Sequence, residues 1–179
     1  MRKLWGRKDG SNVMKVTWCL GELGLEYERI DWGGPFGGND DPAYRAINPM
    51  GRLPTLEEDG GFALWESGAI IRYLCATHSR GDMSPRTLRG RAQAEKWMDW
   101  SSLYFAKFNT VYLDQFFRLS PGERDDAAVA AAVRQTTPLV DILDAQLARG
   151  DYLCGDRLTI ADFPAGVLVH RWVTWTPRR

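Results

Sequence analysis

The run Gly51-Arg52-Leu53-Pro54-Thr55-Leu56, followed eleven residues after Pro54 by Trp65-Glu66-Ser67-Gly68-Ala69-Ile70-Ile71-Arg72-Tyr73-Leu74, decides the reading of the fold. Pro54 stands between two short apolar pieces and cannot donate to a sheet ladder. It therefore marks a strand entry or a bend, compatible with a cis peptide bond, that turns the preceding backbone into open space. Glu66-Ser67 then opens an amphipathic helix whose first residues bring a carboxylate and a hydroxyl. Exposed peptide groups beside such a helix N-terminus offer a place to hold the backbone and charged ends of a small peptide.

Upstream, Lys3 to Trp5 predicts a strand. Val13, Val16, Leu20 and Leu23 then recur at the spacing of a helix with one buried face, and Gly24 reads as its stop. Tyr27 to Ile30 predicts a second strand, and the turn formers from Gly33 to Pro42 predict a loop or a broken helix. Leu53 to Leu56 and Phe62 to Leu64, joined by Glu58-Asp59-Gly60-Gly61, predict a hairpin. The helix from Ser67 to about His78 completes a β-α-β, then β-β-α order. That order is a thioredoxin-like layout, a mixed sheet with helices on its faces.

After the polar stretch from Ser79 to Pro85 the pattern is helical, from Arg86 to Leu119 and from about Glu123 to Arg149, with Ser120-Pro121-Gly122 as the break. The predicted organisation is an α/β thioredoxin-like domain over residues 1–79 and an all-α helical bundle over residues 86–179. Val129, Val133, Thr136, Val140, Leu143 and Leu147 form a packing seam on the second long helix, which Pro138 should bend. Thr159 and Asp162 predict a capping box, Thr159 accepting from the Asp162 N–H and the Asp162 carboxylate from the Thr159 N–H, with Leu158 against Phe163 as a hydrophobic staple. These residues start a buried helix and do no chemistry.

With 23 basic and 23 acidic residues the charges cancel, so no global field recruits nucleic acid or an anionic membrane, and Arg86, Arg89 and Arg91 read as a solvated helix start. Cys19, Cys75 and Cys154 are odd in number and widely spaced, which disfavours a disulfide framework and a zinc site and suits a reducing, cytoplasmic home. No stretch approaches the roughly eighteen apolar residues of a membrane span, and no apolar leader follows Met1, so a soluble, unexported protein is expected. Cys19 reads as packing rather than a nucleophile. His78 and His170 have no neighbouring ligand pattern, and the Gly33 to Gly38 loop lacks the P-loop and Rossmann spacings.

The Leu-Pro-Thr and Glu-Ser-Gly-Ala-Ile-Ile-Arg-Tyr-Leu pair, preceded by Lys3-Leu4-Trp5-Gly6 and Ser11-Asn12-Val13-Met14-Lys15-Val16, resembles the glutathione transferases, in particular their bacterial serine-type members. The likeness runs from about Lys3 to Trp172. It implies that the Leu53 backbone, before a cis Pro54, pairs with the cysteinyl unit of glutathione, and that Glu66 and Ser67 hold its γ-glutamyl end. Arg52, Phe36 and Trp32 would shape the glycyl side; read alone, these three are equally packing or surface, Ser67 is an N-cap and Glu66 a solvated charge. No Tyr or Cys lies between Gly6 and Asn12, so Ser11, with Asn12 as a second donor, is left to stabilise the thiolate. In the similar bacterial members the hydroxyl stands two residues before the Asn-Val pair, where this chain has Gly10; Ser11 read alone is an N-cap.

The resemblance further implies a pocket for a small hydrophobic electrophile between the domains. Trp97, Trp100, Tyr104, Phe105 and Phe108 fall at helical spacings and form an aromatic stripe that reads as core more readily than as pocket wall, with Trp100 and Tyr104 as the candidates to face that pocket. It implies a homodimer and no metal or covalent cofactor, glutathione being a substrate. The ending Trp175-Thr176-Pro177-Arg178-Arg179 reads as shorter than usual for this layout and is expected to leave a face of the last helix uncovered. Two other readings stay open: reductase, peroxidase or lyase chemistry with the same thiol, and a noncatalytic binding or scaffold protein.

Overall fold

The computed structural model describes residues 1–79 and 81–175. The chain divides into two compact units, residues 1–84 and 85–179.

In the first unit the order is β1 (Lys3–Trp5), α1 (Ser11–Glu22), β2 (Glu28–Ile30), a 3-10 turn (Gly34–Phe36), α2 (Pro42–Ile47), β3 (Thr55–Glu58), β4 (Phe62–Trp65) and α3 (Ser67–His78). The sheet runs β2-β1-β3-β4, with β1 and β2 parallel and the other pairs antiparallel, the mixed thioredoxin-like arrangement expected. Val13, Val16, Cys19 and Leu20 of α1 and Ile70, Ile71, Leu74 and Cys75 of α3 are buried, as are Leu4 and Leu56 of the sheet. Gly24, at φ +64°, stops α1: its N–H and that of Leu25 donate to the carbonyls of Gly21 and Leu20 at 3.0 Å each. Leu23, expected on the buried face, is the half-buried C-cap.

Two boundaries differ from the sequence reading. Strand β3 starts at Thr55 rather than Leu53, because Pro54 has no N–H for the ladder; the Leu53–Pro54 bond is cis. The turn formers Asp41-Pro42 do not continue the loop but start α2: the Asp41 carboxylate accepts from the N–H of Ala43 at 2.7 Å, and Pro42 occupies a first-turn position whose missing N–H costs nothing. The widely spaced Cys19 and Cys75 meet, with Sγ atoms 3.5 Å apart. The Cys75 sulfur and burial both push the Cys19 thiol far up, so it is packing and no nucleophile.

In the second unit, α4 (Leu88–Trp100) and α5 (Ala106–Leu113) alternate with π-helical segments at Ser101–Phe105 and Asp114–Arg118, giving one helical run from 88 to 118. Ser120 and Glu123 then form a capping box around Pro121, and Asp125 caps α6 (Asp126–Leu147) through the Ala128 N–H at 3.0 Å. The helix continues through Pro138. The hydroxyls of Thr136 and Thr137, just before it, donate back to the carbonyls of Ala132 and Val133 at 2.7 and 2.9 Å. The seam residues Thr136 and Leu143 are buried and Val129, Val133 and Val140 half-buried, whereas Leu147 is exposed at the helix end. Phe108, Tyr112 and Ala132 form a core against which Phe116, Val133 and Trp172 pack. The buried Arg171 guanidinium donates to Asn109 Oδ1 at 2.8 Å.

Helix α7 (Asp162–Trp175) begins where the capping box was expected, with one change. Asp162 does accept from the Thr159 N–H, at 2.8 Å, but its own N–H goes to the Thr159 carbonyl, and the Thr159 hydroxyl accepts from Ala161 instead. The second Asp162 oxygen accepts from the Leu153 N–H at 2.9 Å, so this buried carboxylate ties the preceding loop to the helix. The expectation about the tail rests on residues 176–179, which lie outside the described residues. Among the described residues no helix is long and apolar enough to cross a membrane, and no group of His, Cys, Asp and Glu is placed to hold a metal ion.

Candidate functional site

The sheet register assembles the site. Trp5 lies opposite Thr55, and Thr55 opposite Trp65, so the end of β1, the start of β3 and the end of β4 lie side by side. The segments leaving that end lead to the N-terminus of α1, to Leu53-Pro54, and to the N-terminus of α3. The loop after β2 joins them: the N–H groups of Gly6 and Arg7 donate to the carbonyls of Ile30 and Trp32 at 2.8 and 3.2 Å. Gly33, at φ +76°, touches Leu53 so closely that a β-carbon there would lie 2.3 Å from Leu53 Cδ1.

The approach to Leu53 is held by buried polar groups. The Arg52 carbonyl accepts from Tyr44 Oη and from Asn48 Nδ2, each at 2.7 Å. Thr55 Oγ1 lies 2.8 Å from Tyr44 Oη and 2.9 Å from Asn48 Nδ2. Burial is the main reason that the Tyr44 phenol is raised above its ordinary range, so it acts as a neutral hydrogen-bonding hydroxyl. The Gly51 carbonyl is also taken, by Asn39 Nδ2 at 2.6 Å. Leu53 itself differs: neither its N–H nor its carbonyl has a hydrogen-bond partner among the described residues. It presents an unpaired peptide edge next to the sheet.

Beside that edge, α3 starts without a side-chain cap. Glu66 precedes it at φ +70°, the sole described non-glycine residue with positive φ, a conformation costing about 1–3 kcal/mol. Its carbonyl accepts from the Ile70 N–H at 2.9 Å, while its exposed carboxylate and the Ser67 hydroxyl have no partner among the described residues. A strained residue thus holds a free carboxylate at a helix end whose N–H groups attract negative charge.

At α1 the N-cap is Gly10, not Ser11; Ser11 is the first helical residue and is half-buried. Asn12 comes next, exposed, and its Oδ1 accepts from Nζ of the buried Lys15 at 2.9 Å. Phe36 is exposed in the 3-10 turn and Arg52 is exposed before Leu53. Ser11, Asn12, Phe36, Arg52, Leu53, Pro54, Glu66 and Ser67 therefore all belong to the first unit and border one end of its sheet. Trp100 and Tyr104 belong to the second. There the aromatic stripe divides: Trp97, Phe105 and Phe108 are core, whereas Trp100 is half-buried against Trp97 and Phe105, and Tyr104 is exposed.

Tyr44, Asn48 and Thr55 did not stand out as site residues in the sequence. The hydrogen bonds that matter cross from α2 and its C-cap to the start of β3. At the other end of the sheet, Arg2, Glu58, Tyr73 and His78 form a second polar cluster. Burial would raise the Glu58 carboxyl, but hydrogen bonds from Tyr73 and Arg2 outweigh it and hold the group below the usual carboxylate range.

Residues 4–84 match the family model for the glutathione S-transferase N-terminal domain, and residues 99–175 that for the glutathione S-transferase C-terminal domain. The chain is 38% identical over 183 residues to glutathione S-transferase GstB of Escherichia coli (strain K12), covering 99% of this chain and 88% of that protein. It is 35% identical over 164 residues to glutathione S-transferase 3 of Zea mays, covering 89% of this chain and 73% of the relative. Among solved structures it is similar to the glutathione-bound theta class glutathione S-transferase of Xanthomonas axonopodis pv. citri, with a TM-score of 0.92 and 42% identity over 99% of this chain and 85% of that one. With both of its units matched and its length spanned at this identity, the chain belongs to the glutathione S-transferase family.

Proposed function

We infer that the protein is a glutathione transferase that binds reduced glutathione at the sheet end of its first unit and activates the thiol for attack on a hydrophobic electrophile. The unpaired Leu53 peptide beside an uncapped, strained helix start supports this reading above all. A peptide ligand needs an N–H and a carbonyl to pair with, and a zwitterionic γ-glutamyl end needs a carboxylate for its ammonium and N–H or O–H donors for its own carboxylate; Leu53, Glu66 and Ser67 carry those groups. Arg52 and Phe36 flank the glycyl end.

Catalysis is ground-state activation. Lowering a thiol pKa from about 8.5 by two units takes about 2.7 kcal/mol of preferential thiolate stabilisation, which one donor and a helix N-terminus supply. Ser11, the first residue of α1, is that donor, with Asn12 as a second. The thiol proton leaves to solvent, the thiolate sulfur forms a bond to the electrophilic carbon, and the leaving group departs with the electron pair of the broken bond. Trp100 and Tyr104 suit a flat apolar electrophile. The protein works in the cytoplasm as a homodimer, and it needs no metal or covalent cofactor.

Gly10 at the α1 cap favours a second reading, a glutathione-binding scaffold without thiol activation. An ultraviolet difference spectrum with saturating glutathione, titrated over pH, separates the two. A bound thiol that ionises below neutral pH is expected; ionisation only at the free-thiol pKa would leave the scaffold.

A further inference from the structure

We propose that Tyr44, Asn48 and Thr55 are positioning residues that aim the Leu53 N–H at the ligand's cysteinyl carbonyl; the proposal rests on the glutathione reading above. Tyr44, Asn48 and Thr55 are 2%, 1% and 0% exposed, so water satisfies none of their polar atoms and each must find its hydrogen bonds within the protein. Tyr44 Oη has a single proton and donates it to the Arg52 carbonyl at 2.7 Å. Its 2.8 Å contact with Thr55 must then run the other way, the threonine hydroxyl donating to the phenol oxygen. Asn48 uses both amide protons, one on the Arg52 carbonyl at 2.7 Å and one on Thr55 Oγ1 at 2.9 Å, and its Oδ1 accepts from the Met50 N–H at 3.1 Å.

The ring closes with every proton placed and both lone pairs of the Arg52 carbonyl filled. That carbonyl is therefore fixed inward. In a planar trans peptide the C=O and the following N–H point in opposite directions. The Arg52–Leu53 bond is trans, so the inward carbonyl turns the Leu53 N–H outward. This is the N–H left without a partner among the described residues. Trp5 and Trp32 pack on the Tyr44 ring at centroid distances of 5.6 and 5.5 Å and hold the phenol in place.

The test is a double-mutant cycle read by calorimetry on the full chain. Its axes are Tyr44→Phe, and glutathione against its isostere with a trans-alkene for the Cys-Gly peptide bond, which keeps the shape and loses the carbonyl together with the glycyl N–H; the N–H loss is common to both proteins and cancels in the cycle. Wild type should bind the isostere about tenfold more weakly than glutathione. Tyr44→Phe should bind glutathione about fivefold more weakly and the isostere as wild type does. Its KM for glutathione should rise with kcat at saturation and the thiolate spectrum unchanged, and Thr55→Ser, which keeps the hydroxyl, should behave as wild type. Equal losses for both ligands in Tyr44→Phe, or a wild type indifferent to the isostere, would overturn the positioning role alone. A wild type that does not bind glutathione would overturn the glutathione reading with it. If Tyr44→Phe does not fold, Thr55→Val enters the same cycle.

Discussion

Replacing Glu66 separates what the site costs the fold from what it gains the ligand. At φ +70° a side-chain-bearing residue carries about 1–3 kcal/mol of backbone strain, which glycine does not. Glycine returns about 0.4–1 kcal/mol of that through the greater freedom of its unfolded chain. Glu66→Gln keeps the strain, and both variants lose the same negative charge at the start of α3, so the helix-end electrostatics cancel between them. Glu66→Gly should thus be more stable than Glu66→Gln by about 1 kcal/mol, a difference of about 2–4 °C in Tm for a chain of this size. Both should bind glutathione about tenfold or more weakly, because each removes a charged partner worth about 1.5–3 kcal/mol to the ligand's ammonium. Thermal unfolding and calorimetry on the two variants read these effects separately. Equal stability would refute the strain at Glu66, and unchanged affinity in both would refute the assignment of Glu66 to the γ-glutamyl end.

Three further outcomes are expected. Asp162→Asn places an amide against the N–H donors of Thr159 and Leu153 and should cost about 2–4 kcal/mol in urea unfolding; a loss below about 0.5 kcal/mol would mean that the buried carboxylate does not organise the α7 entry. Glu58 has a lowered folded pKa, so its contribution is complete above the unfolded value of about 4.3 and is lost as pH falls through the folded one. Tyr73→Phe should accordingly move acid unfolding to higher pH, and an unchanged profile would count against the Tyr73 hydrogen bond. Gly10, at φ −68° and ψ 124°, accepts a side chain if a Val13 methyl 3.2 Å from the added β-carbon yields slightly. Gly10→Ser should change stability by no more than about 0.5 kcal/mol and lower the pH at which bound glutathione ionises, whereas Ser11→Ala should raise it; no shift in either variant would remove the α1 start from thiol activation.

The elements legible in the sequence were those specified by local pattern. The α3 helix runs over Ser67–His78 as its apolar spacing indicated, and the hairpin partners and the Gly24 stop arise from turn chemistry. Helix α2 escaped because Asp41-Pro42 suits a turn and a helix start equally, and the short stretch Ala43 to Ile47 has too few turns to show a helical period. The cap at Gly10 and the π segments depend on hydrogen bonds that no residue type announces. The site was legible only as a set of candidates. Leu53, Glu66 and Ser67 share one sheet end through strand register, and the Tyr44, Asn48 and Thr55 ring joins residues up to 11 positions apart by contacts that exist only once α2 has docked.

The open peptide edge at Leu53 also bears on how such a site can drift. A contact made by main-chain atoms is indifferent to the identity of the residue that owns them, so Leu53 is bound by shape alone, through its closeness to Gly33 and Gly6. An apolar replacement of similar volume leaves the recognition chemistry intact. A change in the neighbouring glycines, to which no ligand contact is assigned, would displace the edge and erase it. Vulnerability at this site is therefore shifted away from the residue proposed to do the recognising and onto the small residues that make room for it.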